Sequence, residues 1–331
     1  MKTWRDFLLG MYDDYINDLN SCANNLINMS SIKKDDLIVD AGAGIGLIST
    51  NILKNDSNAN VIAIDNDNSC IEELNKLINT YPHFKILKNN LESIEIENNS
   101  INKIFDRSSL MHCKNKLIVL EEYYRVLKKN SQISMFVGIF YDTLDRYYKY
   151  LPINTKNYNF YKTVEEKVRN DNNDPLTNCN LDSWKKYLKE AGFKNIYIIQ
   201  FPYFDYFKIN NMLSDADIFY EDKPHAYSLK EKFLKYMTEE QFNIYYKTLE
   251  QNMIYKTLQH NIMGLYIFAQ KEPDLFNYIK LKLKVLFFIL LKQFPFIVKY
   301  TIKNPFIKLY YDIKCNSQKF IEVTLGYNPS K

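Results

Sequence analysis

Leu37-Ile38-Val39-Asp40-Ala41-Gly42-Ala43-Gly44-Ile45-Gly46 is the stretch on which the fold turns. A short apolar run ends in a carboxylate, and three glycines then follow at spacing two, where a buried strand should give way to a helix. Such a turn brings bare backbone against a ligand. A Cβ would obstruct both the tight turn and the ligand's approach, and the N–H groups of a new helix start suit an anionic or carboxylate-bearing group. The stretch therefore reads as a cradle for a nucleotide-like cofactor. It departs from the dinucleotide fingerprint G-x-G-x-x-G, because its third glycine, Gly46, comes one residue early and Leu47 stands where that pattern wants Gly or Ala.

Outward from this stretch the chain alternates strand and helix. An amphipathic helix over residues 4–29 precedes it, with Phe7, Tyr12, Tyr15, Leu19 and Leu26 on one face. A helix from about Ile45 to Lys54 follows. Val61 to Asp65 is a second buried strand ending in a carboxylate, and Asn68 or Ser69 caps a helix reaching about Asn79. Strands are expected at Phe84–Leu87, Ser100–Asp106, Ile133–Phe140, Asn195–Gln200 and Ile262–Gln270, with helices at Leu117–Leu127 and at Asp182–Ala191, the last stopped by Gly192. The alternation predicts an α/β chain, a doubly wound, seven-stranded, mostly parallel sheet. Residues 1–34 form an N-terminal helical cap and 35–273 the main domain. The intervals at about 141–180 and 203–260 are too long for plain connections and read as insertions facing a substrate.

Composition limits the function classes. Of 331 residues, 46% are hydrophobic and 25% charged, ordinary values for a globular chain, and the formal charge is +4. Residues 274–331 hold ten Lys against three acids, Asp274, Asp312 and Glu322, a net of +7 that leaves −3 for residues 1–273. A slightly acidic main domain argues against a surface built to grip nucleic acid along its length, so no DNA partner is expected and RNA is disfavoured. The five cysteines are scattered, with no C-x-x-C pair and no Cys/His cluster at zinc spacing, and no metal is expected. The start of the chain has no apolar signal-peptide core, which makes a cytoplasmic location the expectation.

With Asp40 leading its glycines, the D-x-G-x-G-x-G run resembles motif I of the class I S-adenosylmethionine (SAM) dependent methyltransferases. Three further blocks stand in that family's order. Ser100-Ile101-Asn102-Lys103-Ile104 resembles the S-F-D-x-V block of its small-molecule, quinone-precursor type members. Tyr124 to Ser131 is similar to R-V-L-K-P-G-G, and Ala191-Gly192-Phe193 to the A-G-F before the sixth strand. The resemblance implies a Rossmann-like transferase whose cofactor is SAM. It implies that Gly42, Ala43, Gly44 and Gly46 line the cofactor's methionine and ribose portion, with Asp40 supporting the loop. Asp65 would take the ribose hydroxyls, since one carboxylate accepts two hydrogen bonds. Asn66 would lie beside the adenine, Asn90 and Leu91 at its edge and face, and Tyr15 would close the pocket from the N-terminal helix.

Three departures stand out. Pro-Gly-Gly has become Lys129-Asn130-Ser131, a turn that Asn supports because it tolerates left-handed backbone. Asn102 and Asn90 replace acids usual in the family. An Asn oxygen accepts a hydrogen bond from the adenine amino group at neutral rather than charge-assisted strength. For catalysis the candidates are His112, whose ordinary pKa suits a general base, and Asp106 and Arg107 near the sulfonium end.

The leading expectation is methyl transfer to a small, apolar or aromatic metabolite, suggested by the Tyr and Phe in both insertions. The alternatives are an RNA methyltransferase using the basic tail as an arm, and a non-catalytic SAM-binding module in a membrane-associated assembly. The tail, 274–331, is read as a helical, basic amphipathic segment. Its uninterrupted apolar run, Val285 to Leu291, is far short of the ~20 residues that span a bilayer. Lysines around that run suit either peripheral contact with the inner face of a membrane or a helix docked on the domain or on a second copy.

Overall fold

The computed structural model describes residues 4–139, 146–208, 229–253, 257–303, 309–316 and 320–327. The helix α1 (Trp4–Ser30) leads into β1 (Leu37–Ala41), α2 (Leu47–Asn55), β2 (Asn60–Asp65), α3 (Asn68–Ile78), β3 (Phe84–Lys88) and β4 (Ile101–Arg107). After a 3-10 turn at Leu110–His112 come α4 (Lys116–Val126) and β5 (Leu127–Ile139). The first insertion carries a second 3-10 turn, Tyr147–Tyr150, and α5 (Tyr158–Arg169), followed by α6 (Leu181–Glu190) and β6 (Lys194–Lys208). The second carries α7 (Leu229–Leu234) and α8 (Glu239–Met253) before β7 (Thr257–Gln270). The tail comprises α9 (Leu275–Lys303), β8 (Leu309–Asn316) and β9 (Phe320–Tyr327).

The strands lie in the order β3-β2-β1-β4-β5-β7-β6-β9-β8. The first seven are the expected sheet, parallel except for β7, which runs antiparallel to both β5 and β6. Two features differ from the sequence expectation. Strands β6 and β7 extend into what reads as the second insertion, pairing from Lys194↔Gln270 out to Lys208↔Thr257. The tail is helical only as far as Lys303; β9 then adds to the β6 edge in parallel register and β8 pairs antiparallel to β9. Alternating apolar residues over Ile313 to Cys315 and Ile321 to Leu325 carry that strand pattern, in a segment whose lysines draw the eye towards helix and surface.

Each face of the sheet buries its own core. Helices α4 and α6 cover one face through Val119, Leu120, Tyr123, Trp184 and Leu188. Helices α1, α2, α3 and α9 cover the other; Leu19, Ala23 and Leu26 of α1 recur at helical spacing and all point inward. The two insertions together form a third core, in which Tyr147, Tyr161, Phe233, Phe242 and Tyr245 pack on one another. The chain order reverses between β1 and β4, which are neighbours although β2 and β3 intervene in sequence. A crevice opens at the carboxyl ends of strands at such a reversal, so the fold directs a ligand to the ends of β1 and β4.

Candidate functional site

At that reversal lies the glycine turn. Gly42, Gly44 and Gly46 all have positive φ, at 62°, 56° and 84°. Gly42 has a second constraint. A Cβ built on it would stand 2.1 Å from the Cβ of Ser109, so the turns after β1 and β4 meet backbone to side chain with no room for a methyl group. Gly46 is the N-cap of α2 in the left-handed conformation and has no side chain of its own to cap that helix start. Of the first-turn N–H groups of α2, that of Ser49 goes to Asp40, while those of Leu47 and Ile48 have no acceptor within the helix, as at the helix ends that bind anionic groups.

Two carboxylates hold the turn. Asp40, at the penultimate position of β1, is buried and accepts from Ser49 twice, from its N–H at 2.9 Å and its hydroxyl at 2.7 Å. This ties the strand end to the first turn of α2, and Ser49 is a partner the sequence reading did not single out. Asp65, the last residue of β2, accepts from the Gly44 N–H at 2.7 Å and the Asp67 N–H at 2.9 Å. It joins the end of β2 to the middle of the glycine turn. The Ala43 N–H donates to Ile64 O beside it, so the turn is stitched to β2 by two bonds.

Burial pushes the Asp40 carboxyl up to about 6 from 3.8, against the two bonds from Ser49 that favour its charged form. The folded state thus binds a proton more tightly than the unfolded chain. The corresponding stability is fully present below 3.8 and is lost as pH rises through 6. The difference is worth ~3 kcal/mol at most. Urea unfolding of the protein and of Asp40→Asn at pH 4, 5, 6 and 7 checks this. The parent should lose stability relative to the variant across that range, and a constant difference would contradict it.

The turn after β4 is organised by Asp106. Its carboxylate is fully buried and accepts from the Ser109 N–H at 3.0 Å, from the Leu110 N–H, and from the Tyr123 hydroxyl at 2.8 Å. Burial raises its pKa, and burial together with the neighbouring Asp106 charge raises that of Tyr123. The expectation that Asp106 contacts an acceptor gives way to a different placement. The carboxylate fixes the 3-10 turn and sets Ser109 against Gly42, with no surface of its own. The Ser109 hydroxyl completes the junction by donating to Ala41 O at 3.0 Å. The Asp-x-x-Ser spacing at 106 to 109, a side-chain acceptor three residues before a backbone donor, is the signal that points to this role.

Arg107 and His112 are half-buried on the same carboxyl-end rim, His112 closing the 3-10 turn. Leu91 is buried, whereas Asn66 and Asn90 are exposed beyond the ends of β2 and β3. The Asn90 oxygen accepts from the Glu92 N–H at 3.0 Å. Tyr15 lies in α1, and its side chain falls outside the described residues. Asn102 is placed away from this region, near the amino end of β4, where its oxygen accepts from the Leu37 N–H at 3.0 Å and from Lys128. Its exchange for the family's usual Asp therefore bears on the strand start and not on a cofactor. Asn130 adopts φ +64°, the left-handed turn expected in place of Pro-Gly-Gly.

The insertions are anchored beside this rim. Lys116, at the first turn of α4, is buried and donates to Cys113 O at 3.0 Å, Pro175 O at 2.8 Å and Asn178 Oδ1 at 3.1 Å. Lys232 of α7 pairs with Asp174. The third core is thereby fixed to the segment that follows β4. Its described aromatics are spent on packing: Tyr161 and Tyr245 are 1% and 2% exposed, and the Tyr245 hydroxyl donates to buried Glu165. Those of 203–207, 219 and 220, and Tyr141, fall outside the described side chains.

Residues 39–135 match the sequence profile of a family described as "Methyltransferase domain". By this match residues 39–135 form a methyltransferase domain. Solved structures share the architecture at low identity. A candidate methyltransferase from Bacillus halodurans C-125 superposes with a TM-score of 0.50 at 19% identity, over 77% of this chain and 100% of that one. The YcgJ protein of Bacillus subtilis gives 0.50 at 12% identity, over 77% and 99%. A search of curated proteins finds no match. S-adenosyl-L-methionine is the cofactor that the motif at Asp40 to Gly46 implies for this domain. The cradle suits it, since the positive-φ glycine turn follows β1 and the carboxylate of Asp65 stands at the end of the adjoining strand.

Proposed function

We propose that this methyltransferase acts on a small metabolite, apolar or aromatic in character, rather than on RNA. The observation that carries the proposal is the anchoring of the insertion core beside the rim of β4 through Lys116, Pro175, Asn178, Asp174 and Lys232. In this reading a cap fixed there shelters the ends of β1 and β4, which suits a reactant enclosed away from water. The net charge of −3 over residues 1–273 further disfavours a polyanion.

SAM supplies an activated methyl group on a sulfonium. The chain's own part is to bind and orient the two reactants, because much of the rate of such a transfer comes from holding the nucleophile in line at near-attack distance. In this reading Asp65 also accepts from the ribose hydroxyls, since a carboxylate offers about four lone-pair sites. The N–H groups of Leu47 and Ile48 at the start of α2 and the backbone of Gly42 to Gly46 receive the methionine portion, while Leu91 and Asn90 bound the adenine. Asp106 is a positioning residue. Arg107 and His112 are the groups on the rim that face the acceptor side, and His112 takes a proton where the acceptor must lose one.

Titration calorimetry of the full chain with SAM and with its demethylated product tests the first layer, where micromolar binding of both is the expected result. Transfer of labelled methyl from SAM to a panel of small phenols, quinols and amines, run beside total RNA, tests the second. Labelling of RNA alone would overturn the proposal for the acceptor and leave the methyltransferase assignment intact.

A further inference from the structure

Helix α9 turns two apolar faces in opposite directions. Leu281, Val285 and Ile289 are buried against the sheet with Tyr197, Ile199, Tyr266 and Phe268, which accounts for one face. Leu275, Phe276, Ile279, Leu283, Leu286 and Phe287 are exposed, with Phe276 at 73%, Leu283 at 61% and Phe287 at 62%. At 100° per residue, Ile279, Leu283 and Leu286 fall within about 40° of the direction opposite Leu281, so these residues form one stripe and are not scattered. A contiguous exposed stripe of this kind is unusual for a surface helix.

Lysines border the stripe on both sides. Lys282 lies along one edge, exposed, and Lys280 and Lys284 along the other. Lys284 donates to Asn28 O at 2.8 Å at the end of α1. Beyond that edge, Lys33 and Lys103 extend the positive field, with Asp36 the acid among them. Between Leu275 and Lys303 the helix has no carboxylate at all. A second copy of the chain laid on the stripe in a two-fold pair would set these lysine rows on one another. A surface that is apolar within and anionic at its boundary meets both features.

We infer that α9 is a membrane-docking helix, which lies in the interface of an anionic phospholipid bilayer with Phe276, Leu283 and Phe287 towards the acyl chains and Lys280, Lys282 and Lys284 among the headgroups. Aromatic and aliphatic side chains enter to the acyl boundary while flanking lysines keep their ammonium groups at headgroup level. No helix among the described residues is long and apolar enough to cross a membrane. The helix therefore lies on the bilayer, held by its own buried face to the sheet.

Co-sedimentation of the full chain with large vesicles tests the inference. The vesicles are phosphatidylcholine alone, or phosphatidylcholine with about a third phosphatidylserine, a charge density at which each lysine contributes ~1 kcal/mol. The chain is expected to bind the anionic vesicles and to be released by high salt. Lys280→Gln/Lys282→Gln should weaken binding roughly 30-fold, as two such contributions convert. Leu283→Glu/Phe287→Glu, altered only at exposed positions, should abolish binding while circular dichroism and SAM affinity stay unchanged. Equal affinity for neutral and anionic vesicles, or no binding to either, would overturn the inference. So would a dimer in light scattering that Leu283→Glu/Phe287→Glu converts to monomer, since the stripe would then belong to a second copy.

Discussion

Gly42→Ala should be the most damaging single methyl group added to this protein. Its φ of +62° costs an L-residue about 1–2 kcal/mol, and a Cβ placed 2.1 Å from Ser109 Cβ forces the turn after β4 away from the turn after β1. Together these predict a loss of about 2–5 kcal/mol in unfolding free energy and at least a tenfold loss of SAM affinity in whatever folds. The two causes separate in a double variant. With Ser109→Gly the clashing Cβ and hydroxyl are gone, and the next nearest atom, Ser109 Cα, stands at 3.6 Å, an ordinary contact. Gly42→Ala/Ser109→Gly should therefore be more stable than the sum of its two single changes implies, by 1–3 kcal/mol in urea unfolding. Strict additivity would mean that the two turns do not meet as described.

Asp65→Ala should rank next, and it acts on two readouts at once. The carboxylate satisfies the Gly44 and Asp67 N–H groups at 2.7 and 2.9 Å in a buried setting. Leaving both unmet costs about 1–3 kcal/mol each where water does not replace the partner, so the melting temperature should fall by several degrees without any ligand. SAM affinity should fall by about 100-fold or more, because the loop loses its anchor and, on the role proposed above for Asp65, the ribose loses its charged acceptor. Asp65→Asn divides these effects, keeping one acceptor for the loop while surrendering the charge. It should recover part of the melting temperature and little of the affinity. Recovery of both would reduce Asp65 to a loop anchor.

The sheet and the cofactor turn were readable because their physics is local. A strand buried on both faces must be an unbroken apolar run, a turn at positive φ selects Gly or Asn, and a helix after it needs a C-cap such as Gly192. These constraints act within a few residues, so β1, β2 and β4, the glycines and Asn130 all appear where their patterns place them. Contacts that close over long separations are another matter. Nothing near Asp106 in sequence says that Tyr123 will donate to it, and Lys116 looks like one exposed cation in a lysine-rich chain until Pro175 and Asn178 fold over it. The aromatics of the first insertion likewise offer pocket walls and packing equally well in one dimension. Only the neighbours of Tyr161 and Tyr245 assign them to a core. Asn102 shows the converse, a departure from family pattern that looked chemical and is a matter of how a strand begins.

Strand β9 also settles what becomes of the outer side of β6. Residues Tyr197 to Gln200 give their outward backbone N–H and C=O groups to Ile321 to Thr324, and β8 then takes the border position. A chain ended after residue 273 would bare those groups along a strand rich in Tyr, Ile and Phe, a template for pairing with another such chain. Shortened versions of this protein should consequently be harder to keep in solution than the intact one, and residues 274–331 double as protection against self-association.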